Sequence, residues 1–196
     1  MGRCRVRGRS DRASAFAGSQ GDRLTHVNAR LPFDPIARAA QQWRTHWGED
    51  SPYQAMATVT SIMRVQQILL AELDGALASL DLTFARYEAL VLLTFSRTGE
   101  LPMSKVGERL MIHPTSATHI VQRLAVQGYV DRVPNPRDGR GTLARITDAG
   151  RAVMEEATGR LHSIEFDLAD LTTEQHRQMF ELLRAVRVGA GDFDNY

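Results

Sequence analysis

The chain has 196 residues, 43% hydrophobic and 24% charged, enough for one domain with extensions and a core that needs no covalent staples. Its single cysteine, Cys4, excludes an intrachain disulfide and a cysteine-based metal cluster. No apolar run approaches the ~18 residues of a membrane span, and the Arg-rich start lacks the apolar stretch of a secretory signal, so a cytoplasmic protein is expected.

A net charge of +1 conceals strong asymmetry. Residues 1–30 carry seven Arg against two Asp, and residues 113–147 carry five Arg against Asp131 and Asp138. Residues 31–112 are mildly acidic and residues 148–196 more so, at −2 and −5. A basic island between acidic stretches points to an anionic partner.

In chain order, residues 1–30 are rich in Arg, Gly, Ser and Ala without an apolar period, so a disordered basic tail is expected. Such a tail is either an arm for DNA phosphates or an untidy terminus. Asp34-Pro35 predicts a helix start, with Ile36, Ala39, Ala40, Trp43 and Trp47 on one face and Gly48 as the stop. A long helix is predicted from Tyr53 to about Ser79, its stripe being Val59, Ile62, Met63, Leu69, Leu70, Leu73 and Leu77. Thr83 caps the next helix, which runs to about Ser96, and Thr98-Gly99 is a turn.

Two short helices follow, from about Met103 to Leu110 and from Pro114 to about Gln127, joined by Met111-Ile112-His113, with His113 as the second helix's cap. Then the period changes. Residues 129–133 and 142–146 alternate as strands do, and the Pro- and Gly-rich stretch 134–141 between them predicts a hairpin with a long, Arg-bearing tip. Thr147 caps a helix with Ala152, Val153, Ala157, Leu161, Ile164 and Leu168 as its apolar positions. Thr172 and Gln175 form a capping box for the last helix, which runs to about Val188 with Met179, Leu182, Leu183 and Val186 on one side.

This order predicts a mainly α fold with a small β-hairpin wing: a winged helix-turn-helix plus a helical region. A helix fits the major groove of DNA, where each base pair presents a distinct edge. The helix from Pro114 presents Thr115, Ser116, Thr118, His119, Gln122 and Arg123 on one side, and Ala117, Ile120, Val121 and Leu124 on the other. The polar set, with Lys105 in the preceding helix, is the candidate DNA surface. Arg137 and Arg140 at the hairpin tip are candidates for phosphate or minor-groove contact. No nucleophile elbow, P-loop, dinucleotide fingerprint or zinc-hydrolase motif occurs, so no catalytic residue, enzyme activity or cofactor is expected. The six His form no local His-x-x-x-His pair, and no metal site is expected.

Residues 53–188 resemble the MarR family of bacterial transcription regulators. The wing carries the likeness: Asp138, one residue, Arg140, five residues, Ile146, Thr147, two residues, Gly150, with Ile146 where the family usually has Leu. Gly107-Glu108-Arg109-Leu110 and the run from Pro114 to Gly128 are similar to the family's helix-turn-helix. The resemblance implies a homodimer on a pseudo-palindromic operator in double-stranded DNA, Asp138 stabilising the wing, and Arg140 entering the minor groove. It also implies repression, relieved by a small-molecule effector, in a nucleoid-associated cytoplasmic protein.

The expected organisation is a basic tail over 1–30, an extra helix over 31–50, a dimerisation helix over 53–80, a winged domain over 81–150, C-terminal dimerisation helices over 151–190 and a frayed tail over 191–196. The helices outside the winged domain have more apolar surface than that domain needs. They either form a dimer or complete a monomeric core.

The extra helix with Trp43 resembles the urate-responsive branch of the family, in which Trp43 and an acid at the place of Glu88 meet the ligand. That branch's recognition-helix Arg is replaced here by the stretch His119-Ile120, so a different aromatic or weakly acidic ligand is implied. Packing for Trp43 and a plain surface charge for Glu88 stay open. Two other functions also stay open: thiol sensing through Cys4, and non-specific DNA binding by a scaffold protein acting through the basic tail.

Overall fold

The computed structural model describes residues 31–136 and 138–194, with the main chain alone at 139 and 140. Helix α1 (Pro35–Trp47) starts where the Asp34 carboxylate accepts the backbone N–H groups of Ile36 and Ala37, at 2.8 and 3.2 Å. Gly48, at φ 93°, ends it. α1 lies along α2 (Tyr53–Leu77), which closes in a 3-10 turn over Ala78–Leu80. The Asp74 carboxylate accepts the N–H of Phe84 at 2.6 Å and ties the end of α2 to the start of α3 (Phe84–Thr94).

The core gathers Leu77, Leu90, Leu93, Val106, Val121, Leu124, Val130 and Leu161, all fully buried. Of the stripe expected on α2, only Leu73 and Leu77 are buried. Val59 and Met63 are 54% and 55% exposed. On α6 (Asp148–Ser163) the buried face is Gly150, Val153, Met154, Ala157 and Leu161. Ala152, expected inside, is exposed, and Met154 is buried instead. The phase of this helix is set by Gly150, because a Cβ there would lie 2.1 Å from the Tyr129 carbonyl oxygen.

A three-stranded antiparallel sheet has the order β1-β3-β2. Strand β1 (Glu100–Pro102) was not expected from sequence; three residues are too few to show a period, and pairing with β3 defines it. Strands β2 (Val130–Asn135) and β3 (Asp138–Ile146) also reach much further into the expected loop 134–141. Pro134 faces Thr142, and Asn135 faces Asp138, so residues 139, 140 and 141 bulge from the ladder. Proline is tolerated because β2 is an edge strand, and flanking glycines suit a bulge.

Thr147 is the joint between wing and α6. Its N–H donates to the Tyr129 carbonyl at 3.1 Å, its hydroxyl donates to the Gly128 carbonyl at 2.8 Å, and it accepts the Gly150 N–H at 3.0 Å. After α6 the chain turns through Glu165, Phe166 and Asp167, three successive residues at positive φ. Then comes α7 (Thr173–Gly189), which has the expected Thr172–Gln175 capping box and no buried residue.

Gly150→Ala should cost about 3 kcal/mol of stability through overpacking against the Tyr129 carbonyl. Urea denaturation checks this; an unchanged midpoint would mean that the joint relaxes freely.

Candidate nucleic-acid interface

The helices α4 (Met103–Arg109) and α5 (Pro114–Val126) meet through a tight turn. Met111 takes φ 51°, and the Ile112 N–H donates to the Gly107 carbonyl at 3.0 Å. Gly107 is buried, and a Cβ there would sit 3.4 Å from the Ile112 carbonyl oxygen and 3.6 Å from the Ala117 Cβ. A small residue therefore permits the close approach of the two helices. His113 caps α5 as expected: its Nδ1 accepts the Thr115 N–H at 3.3 Å.

α5 divides as the sequence predicts. Ala117, Val121 and Leu124 are buried and Ile120 is half-buried. Thr115, Ser116, Thr118, His119, Gln122 and Arg123 all face solvent. The Thr118 hydroxyl donates to the Pro114 carbonyl at 2.9 Å, so its oxygen is left to accept from outside. No carboxylate lies on α5 itself. An anion approaching this face meets hydroxyls, an amide, an imidazole and a guanidinium, with no like charge on the helix.

Lys105 is less available. Its ammonium group pairs with Glu108 at 2.6 Å, one turn along α4. The pair is exposed, so it opens at little cost. On the wing, the Asp138 carboxylate folds over Gly141, with Oδ2 2.8 Å from where a Cβ would stand. The Asn135 amide nitrogen lies near the same point at 3.2 Å, so two side chains close over residue 141, which has none of its own. Arg137 lies outside the described residues; for Arg140 the main chain runs within β3 and the side chain lies outside the described atoms. Cys4 and the basic tail also lie outside.

With this geometry in view, the sequence profile of the MarR family matches residues 80–141. The chain is 30% identical over 141 residues to the HTH-type transcriptional repressor IacR of Pseudomonas putida, covering 70% of this chain and 78% of that protein. The chain belongs to the MarR family. Members of this family are transcriptional regulators, not enzymes. A MarR family regulator of Streptomyces coelicolor superposes with a TM-score of 0.68 at 57% identity, over 72% of this chain and 99% of that one. A second from the same organism, solved in complex with DNA, superposes with a TM-score of 0.64 at 28% identity, over 72% and 92%.

The two residues tied to the urate-responsive branch stand on separate helices, α1 and α3. Trp43 sits on α1, 40% exposed, its ring tilted against Trp47 at 6.4 Å. Glu88 sits on α3. An open hollow on α1 is lined by Gln41, Gln42, Thr45 and His46, and a second cavity, at the wing base, includes neither Trp43 nor Glu88. Among the described residues, no three His, Cys, Asp or Glu side chains converge, and no helix is long and apolar enough to cross a membrane.

Glu88 keeps much of its surface in solvent, yet partial burial raises its carboxyl above the ordinary value of 4.5. A raised carboxyl pKa means that the folded state holds its proton more tightly than the unfolded state does. Stability therefore falls as pH rises from the ordinary value through the raised one, and the penalty is complete above it. Glu88→Gln should be more stable than the parent at neutral pH, with the gap closing below pH 4.5. Thermal denaturation across pH checks this.

Proposed function

We propose that the protein is a homodimeric, sequence-specific DNA-binding repressor, released from its operator by a small aromatic or weakly acidic effector. The observation that carries the DNA reading is the carboxylate-free, solvent-facing side of α5, held at a tight turn beside a bulged wing. In this reading Thr115, Ser116, Thr118, His119, Gln122 and Arg123 read or position the major groove. Lys105 and Arg137 meet phosphate, Arg140 enters the minor groove, and Asp138 stabilises the wing. Hydroxyls near a helix N-terminus also suit phosphate, since the first N–H groups of the helix are unpaired. The likeness to a Streptomyces coelicolor relative solved on DNA supports this, and the naming of the Pseudomonas putida relative as a repressor supports the sign of regulation.

The dimer reading rests on unpartnered apolar faces. Leu182 and Val186 on α7 are 71% and 60% exposed. On α2, Val59, Met63, Val65, Ile68 and Leu70 are exposed as well, and Trp47 ends the line on α1. A helix apolar around most of its circumference belongs in an interior, and one chain does not provide it. Residues 53–80 and 151–190 therefore form the dimerisation region, with 31–50 as an added helix upon it. A two-fold pair of winged domains then meets half-sites about one helical turn apart. Trp43 and Glu88 are assigned to the effector, and the protein works in the cytoplasm, on the nucleoid.

Fluorescence anisotropy against the protein's own upstream DNA, with a scrambled duplex beside it at physiological salt, tests the regulator. A clear preference for the native fragment is expected. Arg140→Ala should weaken that binding by roughly tenfold, about 1–3 kcal/mol, without dissociating the dimer. Equal, salt-sensitive affinity for both duplexes, lost on deletion of residues 1–30, would instead mark charge-driven binding by the tail. The double substitution Leu182→Asp and Val186→Asp should convert dimer to monomer by light scattering and abolish operator binding; an unchanged mass would remove α7 from the interface.

A further inference from the structure

The far end of α5 meets the corner that closes α2, and both ends are fixed by their own backbone. After α5 the Tyr129 N–H donates to the Leu124 carbonyl at 2.9 Å and the Gly128 N–H to the Ala125 carbonyl at 3.0 Å, with Gly128 at φ 77°. After α2 the Leu82 N–H donates to the Leu77 carbonyl at 3.4 Å and the Asp81 N–H to the Ala78 carbonyl at 3.0 Å, with Asp81 at φ 50°.

Gln127 bridges the two ends. Its amide nitrogen donates to the Asp81 carbonyl at 2.8 Å and to the Asp81 carboxylate at 3.0 Å. Its amide oxygen accepts from Arg86 Nη1 at 3.2 Å. These partners fix which way round the amide sits, since the reverse would set donor against donor and acceptor against acceptor. The Arg86 side chain is only 14% exposed; its Nε donates to the Thr83 hydroxyl at 3.3 Å, and its Nη2 lies 3.9 Å from the Asp81 carboxylate. From the other side, Arg160 of α6 donates to the Ser79 hydroxyl in the 3-10 turn. The corner is thus tied to α3, α5 and α6, and Gln127 makes the tie to α5.

Apolar packing of α5 on α3 sets a separation but has no direction, whereas hydrogen bonds hold an angle. That angle has leverage. With thirteen residues, α5 is about 20 Å long. A tilt of about 10° about its Gln127 end carries the Pro114 end by about 3.5 Å, close to the ~3.4 Å rise of one base pair. We infer that Gln127, held between Asp81 and Arg86, is a positioning residue that sets the angle of α5 to α2, and so the half-site spacing that the dimer accepts. It acts through α5 and meets no base itself. This rests on the dimeric regulator reading above.

The probe is a pool of duplexes with roughly 30 random base pairs, enough for two half-sites one turn apart. The full-length parent, Gln127→Ala, Gln127→Met and Asp81→Asn each select from it, and sequencing reads half-site sequence and spacing separately. The parent should favour one spacing by at least about tenfold over spacings one base pair longer or shorter. Gln127→Ala and Gln127→Met should enrich the same half-site sequence, with the preference among spacings falling below about threefold. Asp81→Asn keeps an acceptor for Gln127 and tolerates the left-handed backbone, so it should select as the parent does. Gln127→Met fills the space of the native side chain and should melt with the parent in thermal denaturation. Its unfolding would make the bridge a matter of stability and overturn the proposal. A Gln127→Met protein that keeps the parent's single spacing, or loses the half-site sequence along with the spacing, also overturns it. So does a parent that enriches one half-site at many spacings, which leaves the regulator reading intact. A parent that enriches no sequence ends the regulator reading, and this inference with it.

Discussion

The approach of α6 to the end of α5 depends on a missing side chain. Gly150 lies where any Cβ would strike the Tyr129 carbonyl oxygen, and the Thr147 hydroxyl bridges the Gly128 carbonyl and the Gly150 N–H. The joint holds three things at once. It fixes where β2 begins after α5, it anchors the last residue of β3, and it sets the rotation of α6 so that Ala157 and Leu161 enter the core. The wing, α5 and the helix leading to the C-terminal region thus share one contact. The Thr-x-x-Gly in the sequence is the local record of this packing.

Charge is arranged around the same frame. The acid-free face of α5 is a property of one helix, readable residue by residue. Lys105 is different, because Glu108 stands one turn away and neutralises it when no stronger anion is near. An exposed pair of this kind contributes little to stability and gives way readily. Glu100 is likewise neutralised, by Arg145 across the β1–β3 ladder.

Caps and turns made most of the helices legible in the sequence. Asp34, Thr83, His113, Thr147 and Thr172 each cap the helix that their position suggests, because capping is a local interaction between a side chain and the next few N–H groups. The outward face of α5 was legible for a similar reason: its period is strong over thirteen residues. What depends on distant partners was not. β1 exists only as a neighbour of β3, the wing strands run on through Pro134 because an edge position tolerates it, and Ala152 yields to Met154 because a carbonyl from another element sets the helix phase. The cavity at the wing base joins four segments, and no stretch of sequence announces it. Trp43 and Glu88, aligned by resemblance, line neither of the two hollows described above.

Helix α7 has no buried residue. It is held by a capping box at one end and by surface pairs such as Glu174–Arg177. A helix secured in this way opens locally at small cost in a solitary chain. In the proposed dimer the same helix is covered. A newly synthesised subunit would therefore pass through a window in which its C-terminal segment is open to proteolysis, and pairing would close it. Turnover would then fall on solitary chains, and the amount of assembled regulator would rise more steeply than the rate of its synthesis.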